Sequence, residues 1–382
     1  MSPKNYVPRS QTSNQTNTKN TEAMPTVETI ENNNVAIRTK ERYHSTIFGF
    51  VMWLYNHRND YEGFLRPAVV TDIQTVLFDT TILPKQRKKM LQRVVVEKWC
   101  QKMSRQRPEN CPVLMEKVDY KCVSEYMVQK TTNEDKLMSK GTYCGICSGI
   151  IYLYTMSNLS PLPSFCENMS TLMKGFKRSI VQQKVASGER LEEGKEFMSF
   201  VCYKLLCQKF FEGKKDEYLF ALLFLTLEWN LIARSDNIVH LSLSDFEWSD
   251  DSLVIYFKKN KTDQEGENGK VPFHIYANPS CPEICPVLAL GLYLVNNPGL
   301  LVTNGKLFAG EYQYNRYADI LNLTLKKYED EFARIGVKAG TIGTHSAHKG
   351  AATLAASGCT ISPSMASIYT RAGWTLGRTR DN

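Results

Sequence analysis

The feature that most restricts the fold of this chain is the order in which helix-like and strand-like hydrophobic patterns occur along it. From Arg38 to about residue 182, apolar residues recur at the spacing of amphipathic helices, and breaks containing Pro or Asn separate the segments. The alternation of strands is confined to 238–276, and helical spacing then returns. The sequence therefore predicts a mostly α-helical chain with a small antiparallel β-sheet, an α+β fold class.

The predicted elements lie on both sides of a polar stretch, 184–195, which has the composition of an interdomain linker. Before it, after a first helix that begins near Arg38, we expect helices at about 64–77, 83–103, 120–129, 142–157 and 166–182. After it, we expect helices at about 196–211, 216–232, 284–296, 314–335, 346–357 and 363–372, and strands at 238–248, 252–257 and 271–276.

Length and composition agree with two domains. A chain of 382 residues can form two cores of ordinary size, and 42% hydrophobic residues is typical of a globular protein. Residues 1–35 are rich in Asn, Thr, Ser, Pro and Glu and have almost no aromatic residues, so we expect a disordered tail there. We therefore predict a helical domain at 36–183, the linker at 184–195 and a second domain at 196–382.

Charge and cysteine usage limit the classes of function. An excess of 47 basic over 39 acidic residues gives a net charge of +8, which favours an anionic partner. Because no apolar run is long enough to cross a membrane or to act as a signal peptide, we expect an intracellular, soluble protein with reduced cysteines. Cys144-x-x-Cys147 and Cys281-x-x-x-Cys285 each have the spacing of half a zinc site, but neither has a second pair at suitable spacing, so we expect no metal.

A short basic run occupies residues 85–89 and is followed by Arg93. It is consistent with a nuclear-import signal, with a helix edge that faces phosphates, or with an ordinary solvated helix face. The sequence leaves these alternatives open. The first of them predicts a nuclear protein.

The most specific pattern lies in the last forty or so residues. Residues 344–350 read Thr-His-Ser-Ala-His-Lys-Gly, and residues 371–374 read Arg-Ala-Gly-Trp. Together they resemble the active-site signature of the tyrosine recombinases, and they are most similar to the Crypton-type branch of transposable elements, whose proteins are phage integrase-like. The resemblance implies a tyrosine recombinase-like catalytic domain, preceded by an all-helical core-binding domain, and a clamp of the two around double-stranded DNA.

The resemblance also implies an activity, which is DNA recombination and integration by phosphoryl transfer. The reaction passes through a 3′-phosphotyrosyl intermediate, without a metal, nucleotide or other cofactor, and without a small-molecule or membrane partner. Self-association on DNA is implied as well. The family's nucleophilic tyrosine is expected about nine positions after Trp374, one position past Asn382, where the sequence stops. Tyr369 lies on the preceding predicted helix, so we expect it to point away from the phosphate.

The alternative function belongs to a different class. A recombinase-derived protein can keep its architecture after it has lost activity, and then binds DNA or other proteins as a scaffold. Both alternatives predict DNA binding that weakens with salt, whereas only an active recombinase forms a covalent adduct with DNA.

Two of the implied site residues are basic. Arg234 follows a buried helix and precedes a predicted strand, as the family's first arginine does, and its guanidinium suits a bidentate contact with phosphate oxygens. Lys261 lies in the turn between the second and third predicted strands, where the family's lysine protonates the leaving oxygen. Lys258, Lys259 and Lys270 remain competitors for that role. By residue type alone, Arg234 is also consistent with an exposed arginine at a helix end.

Three further site residues come from the carboxy-terminal signature. His345 takes the position of the family's first histidine, which transfers a proton and positions the phosphate. His348 stands where the family has its second arginine, and because a neutral imidazole has one N–H donor in place of five, we expect a loss of about 2.7–4 kcal/mol in transition-state stabilisation. Trp374 takes the third position, where an indole N–H donates to a phosphate oxygen, although by residue type alone it is a packing tryptophan. Lys349 is part of the family pattern and is therefore no evident substitute for the missing arginine.

Overall fold

The computed structural model describes residues 35–57, 59–132, 136–189, 194–257, 271–303, 305–338, 340–357 and 362–374, together with Thr26, Ile30 and Asn33. The chain divides into two compact units, Met1–Glu193 and Gly194–Asn382. Its described residues are mostly helical and contain one three-stranded antiparallel sheet, which confirms the predicted fold class. No helix in these ranges is long and apolar enough to span a membrane. Most of the predicted tail, 1–35, lies outside the described residues.

In the first unit, the described ranges contain helices joined by turns and a few isolated β-bridges, and no strand longer than a bridge. Its helices are α1 (Ile37–Asn56), α2 (Pro67–Phe78), α3 (Pro84–Arg93), α4 (Tyr120–Gln129), α5 (Lys140–Met156) and α6 (Pro163–Ser187). Hydrophobic side chains from all six form one core. The helical segment predicted at 83–103 is present at 84–102, but it changes type: α3 ends at Arg93, and a π-helical segment, Val94–Trp99, and a 3₁₀ turn, Cys100–Lys102, follow. The π-helical segment begins with three valines, whose branched side chains disfavour a continued α-helix.

Local sequence determines where these helices begin. α2, α3 and α6 each start with a Pro, whose fixed φ suits the first helical turn. The side chains of Asp119 and Ser139 accept backbone N–H bonds at the starts of α4 and α5. α6 continues to Ser187, inside the segment that the sequence predicted as a linker.

The second unit surrounds one buried helix. Its elements are α7 (Phe200–Phe211), α8 (Asp216–Asn230), α9 (Ser235–Val239), β1 (Phe246–Ser249), β2 (Ser252–Tyr256), β3 (Pro272–Tyr276), α10 (Pro286–Asn296), α11 (Gly299–Thr303), α12 (Gln313–Lys327), α13 (Glu329–Arg334), α14 (Ser346–Ser357) and α15 (Met365–Arg371). Every residue of α8 from Phe220 to Trp229 is buried, and α7, α10, α12 and α14 pack against this helix. The polar residues that α8 carries at its end are therefore held in fixed positions.

The sheet has the order β1-β2-β3, with both neighbouring pairs antiparallel. Leu253 pairs with Ile275, and both are buried in the core of this unit. The prediction of a strand at 238–248 was wrong over most of its length, because 235–239 belongs to α9 and the strand begins only at Phe246. The reason is a capping box in which the side chains of Ser242 and Asp245 bind each other's backbone N–H groups and start a 3₁₀ turn.

Two pairs of cysteines have the spacing of half a zinc site, and the structure shows what surrounds each pair. The thiol of Cys285 accepts the backbone N–H groups of Asn278 and Leu288, so it caps the start of α10. Cys144 is exposed and Cys147 is half-buried. Over the described ranges, no group of three or more His, Cys, Asp or Glu side chains is placed to hold a metal ion.

Candidate functional site

Four of the five singled-out residues line one cleft in the second unit. The cleft has a volume of about 710 Å³, and Arg234, His345, His348 and Trp374 contribute to its wall. They come from the residue before α9, from the start of α14 and from the turn after α15. Lys261 lies outside the described residues, as do the competing lysines of the same turn.

The cleft is lined by positive charge. Lys195 and Lys349 add two ammonium groups to the Arg234 guanidinium, and no Asp or Glu is found among the described residues of the wall. Nζ of Lys349 donates to the carbonyl O of Lys195 at 2.8 Å, and Nζ of Lys195 donates to the carbonyl O of Gly340. Backbone carbonyls therefore hold both ammonium groups in place. Because the described wall carries these positive charges and no acidic side chain, it favours an anionic ligand.

A strained turn leads from α8 to Arg234. Ile232 has a φ of 49°, a left-handed conformation that is unfavourable for a β-branched residue. The N–H of Ala233 donates to the carbonyl O of Glu228 at 3.0 Å, which reverses the chain direction after the helix. Arg234 then stands immediately before α9. The turn fixes the backbone from which the Arg234 side chain extends.

The Arg234 side chain is half-buried and only partly satisfied. Burial lowers the pKa of Arg234 from its usual value, but a guanidinium remains charged at any physiological pH. Its Nη1 atom is buried and has no hydrogen-bond partner within the described parts of the chain. Buried charged donors are normally paired, and a phosphate oxygen is an acceptor that a guanidinium binds well.

His348 is a neutral imidazole with a fixed tautomer. Its side chain is only 6% exposed, and its Nδ1 lies 2.8 Å from the carbonyl O of Ile232. A carbonyl can only accept, so Nδ1 carries the proton and donates it. Burial, together with the nearby charges of Arg234 and His345, lowers the pKa of His348 to about 4. Its other nitrogen, Nε2, is therefore unprotonated near neutral pH and cannot donate to a phosphate.

His345 differs from His348 in being exposed. The residue before it, Thr344, is held at both its side chain and its backbone. Thr344 Oγ1 lies 2.5 Å from the hydroxyl of Tyr314, and the Thr344 carbonyl O lies 3.1 Å from Oγ of Ser235. These contacts fix the segment that carries His345, while its imidazole stays accessible to a ligand.

The Arg-Ala-Gly-Trp segment combines an anchor with a site residue. Nη2 of Arg371 donates to one backbone carbonyl at the end of α8 and one in β3, both at 2.9 Å. Gly373 has a φ of 62°, which glycine adopts without strain, and the resulting turn leads to Trp374. The indole lies edge-on to the His348 ring, with 5.6 Å between the ring centroids. Tyr369 packs on the indole at 5.3 Å and is not part of the described cleft wall.

The sequence did not indicate every residue of the cleft. Tyr314 lies in the first turn of α12 and lines the cleft only because that helix packs nearby. Nothing in the sequence therefore indicated that Tyr314 belongs to the cleft. Lys195 lies in the segment predicted as a linker. Glu228 is not part of the described wall, but the sequence did mark it, since it is an acidic residue within the apolar run of α8.

A scan against protein-family models finds no match, and a search of curated proteins finds no matching relative. Among solved structures, the chain is similar to the site-specific recombinase XerH in a pre-cleavage complex with its difH substrate. The likeness covers 88% of this chain and 90% of that chain, with 12% sequence identity and a TM-score of 0.38.

Proposed function

We propose that the cleft binds a phosphodiester of double-stranded DNA and that the protein acts in DNA recombination of the tyrosine recombinase type. The observation that carries this proposal is that Arg234, His345 and Trp374, which are far apart in the sequence, line one cleft. The Arg234 guanidinium, whose buried Nη1 has no partner among the described residues, and the ammonium groups of Lys195 and Lys349 suit phosphate oxygens.

In the proposed reaction, a tyrosine hydroxyl attacks the scissile phosphorus. The new phosphotyrosyl bond holds the 3′ end of the cleaved strand, and the bond to the 5′ oxygen of the next nucleotide breaks. Arg234 and the Trp374 indole donate to the non-bridging oxygens, whose negative charge grows in the transition state. His345 is the accessible group that takes the proton of the attacking tyrosine hydroxyl, and Lys261 gives a proton to the departing 5′ oxygen.

A second function, DNA binding without strand cleavage, is favoured by the state of His348. Its Nδ1 proton is used by the Ile232 carbonyl, and its pKa of about 4 leaves Nε2 unprotonated at neutral pH. Where the tyrosine recombinase pattern has an arginine, this chain therefore offers a phosphate neither a positive charge nor a donor. In this alternative the protein is a recombinase-derived scaffold on DNA.

Duplex binding measured by fluorescence anisotropy over a series of salt concentrations tests the first part of the proposal. Arg234→Ala is expected to weaken binding and to reduce the slope of log affinity against log salt by about one. Arg334→Ala removes an exposed arginine of α13 outside the cleft and serves as the matched control. Equal losses in the two variants, or no binding by the wild type at low salt, would contradict the proposal.

A suicide duplex, whose nick lets the cleaved end diffuse away, distinguishes recombination from scaffolding. With full-length protein, an adduct that survives denaturation and maps to a tyrosine by mass spectrometry supports the recombinase. Duplex binding without an adduct supports the scaffold. His348→Arg supplies the missing guanidinium, so more adduct with this variant than with wild type would locate the deficit at that position.

A further inference from the structure

A buried carboxyl group lies beneath the cleft. Glu228, near the end of α8, is 0% exposed, and its Oε1 lies 2.6 Å from Oγ of Ser235. The same Oγ lies 3.1 Å from the carbonyl O of Thr344. Because Ser235 follows Arg234 and Thr344 precedes His345, these contacts join the two segments that bring a cation and a histidine to the cleft.

The number of protons decides how the contacts are arranged. A serine hydroxyl has one proton to donate, and a backbone carbonyl can only accept. Ser235 can therefore give a full hydrogen bond to only one of the two oxygens. If it donates to Glu228, its contact with Thr344 is left without a proton of its own; if it donates to Thr344, the carboxyl group must supply the proton of the 2.6 Å contact, an ordinary distance for an O–H···O bond. Both contacts are full hydrogen bonds only when Glu228 is protonated.

The surroundings of Glu228 favour the same state. Its Oε2 is buried and has no hydrogen-bond partner among the residues that the structure describes, so no Lys or Arg there pairs with that oxygen. The phenol of Tyr317 on α12, also fully buried, is close enough to interact electrostatically with Glu228 and offers no positive charge. Burial raises the pKa of Glu228 well above its usual value, because an ionised carboxylate there would lose its hydration and the Ser235 hydroxyl offsets only part of that loss.

We propose that Glu228 is a positioning residue of the cleft: its carboxylic acid donates to Ser235, Ser235 donates to Thr344, and the distance between Arg234 and His345 is thereby fixed. This proposal rests on the proposed function of the cleft as a phosphodiester site. A phosphate that contacts both residues binds well only if their separation is set in advance. The hydroxyl of Tyr314 holds the other end of the same threonine, at its side chain.

Infrared difference spectroscopy of wild type against Glu228→Gln tests the protonation state. The expected result is a carboxylic-acid C=O band in the wild type at neutral pH that the variant lacks. A carboxylate band in its place would overturn the proposal. The measurement involves no DNA, so its outcome is independent of the function of the cleft.

Hydrogen exchange of the peptide that contains Thr344 and His345 tests the positioning, again without DNA. Ser235→Ala removes both hydrogen bonds and should speed exchange in this peptide. Glu228→Gln keeps an N–H donor for Ser235, so exchange should stay as slow as in the wild type. Thr324→Val, which removes a buried hydroxyl on α12 that has no partner in the described chain, is the control and should leave exchange unchanged. Unchanged exchange in Ser235→Ala would overturn the proposal.

Duplex affinity of the same variants connects the positioning with binding. Ser235→Ala is expected to bind about tenfold more weakly, which corresponds to the loss of about one hydrogen bond, whereas Glu228→Gln and Thr324→Val bind as the wild type does. An equal loss in Glu228→Gln and Ser235→Ala would show that a neutral donor at position 228 does not hold Ser235 and would overturn the proposal. If the wild type binds no duplex, the function of the cleft is refuted, while the infrared and exchange results still decide the role of Glu228.

Discussion

Gly350 permits the close contact that places α14, and its replacement by Ala is expected to disturb the cleft. An added Cβ would lie 1.9 Å from the carbonyl O of Met198, where real contacts are essentially never shorter than 3.0 Å. The helix and the backbone at Met198 would have to separate by about 1 Å, the difference between these two distances. Both atoms belong to backbone or are fixed to it, so no side-chain rotation relieves the clash.

Opposing effects set the magnitude. Ala favours a helix over Gly by about 0.8–1 kcal/mol. Overpacking costs about 1–3 kcal/mol, and the separation also stretches two hydrogen bonds worth about 1 kcal/mol each. These are the bond from Met198 N–H to the Ser346 carbonyl, at 2.9 Å, and the bond from Lys349 to the Lys195 carbonyl, at 2.8 Å. We therefore expect Gly350→Ala to lower the free energy of unfolding by about 2–4 kcal/mol.

Urea denaturation followed by circular dichroism measures this loss. Gly291→Ala in α10 is the matched control, because an added Cβ there has nothing within 4 Å. It should raise the free energy of unfolding by up to about 1 kcal/mol. Gly350→Ala as stable as the wild type, or an equal loss in the control, would refute the close-contact reasoning.

Three further results are expected, all measured as the free energy of unfolding. His348 has a folded-state pKa of about 4, below its usual 6.5, so the unfolded chain binds the proton first and stability falls by about 3 kcal/mol as pH drops from about 6.5 to about 4. His348→Asn keeps a donor for Ile232 and should remove this loss; an unchanged pH profile would contradict it. Glu228 has a folded-state pKa raised well above 4.5, so stability should fall by about 1.4 kcal/mol per pH unit above that value, until the folded-state pKa is reached. Glu228→Gln should show a flatter profile over the same range. Arg371→Ala loses two bonds to backbone carbonyls and should cost about 2–4 kcal/mol; no such loss would be seen if Arg371 were only a surface residue.

Much of the fold follows from periodicity, because helices with one apolar face leave a clear pattern. The helix predicted at 120–129 is α4 with the same bounds, and the end of α8 lies close to the predicted one. The pattern failed where a local contact overrode it. Alternating residues at 238–248 resembled a strand, yet the capping box of Ser242 and Asp245 forms a turn there.

The sequence predicted individual residues of the site but not how they interact. The motif gave Arg234, His345, His348 and Trp374, and the structure brings these four to one cleft. It did not give the tautomer of His348, because that depends on a carbonyl presented by the strained turn at Ile232. The link from Glu228 to Thr344 likewise depends on tertiary packing, which a single sequence does not display.

Photocrosslinking to a bound duplex, with the crosslinked peptides identified by mass spectrometry, tests most directly whether the cleft holds DNA. Crosslinks are expected in the peptides that contain Arg234, His345 and Trp374, and they should be lost in Arg234→Ala. Crosslinks confined to peptides away from the cleft, and equally strong in that variant, would contradict the proposal that this cleft is the DNA site.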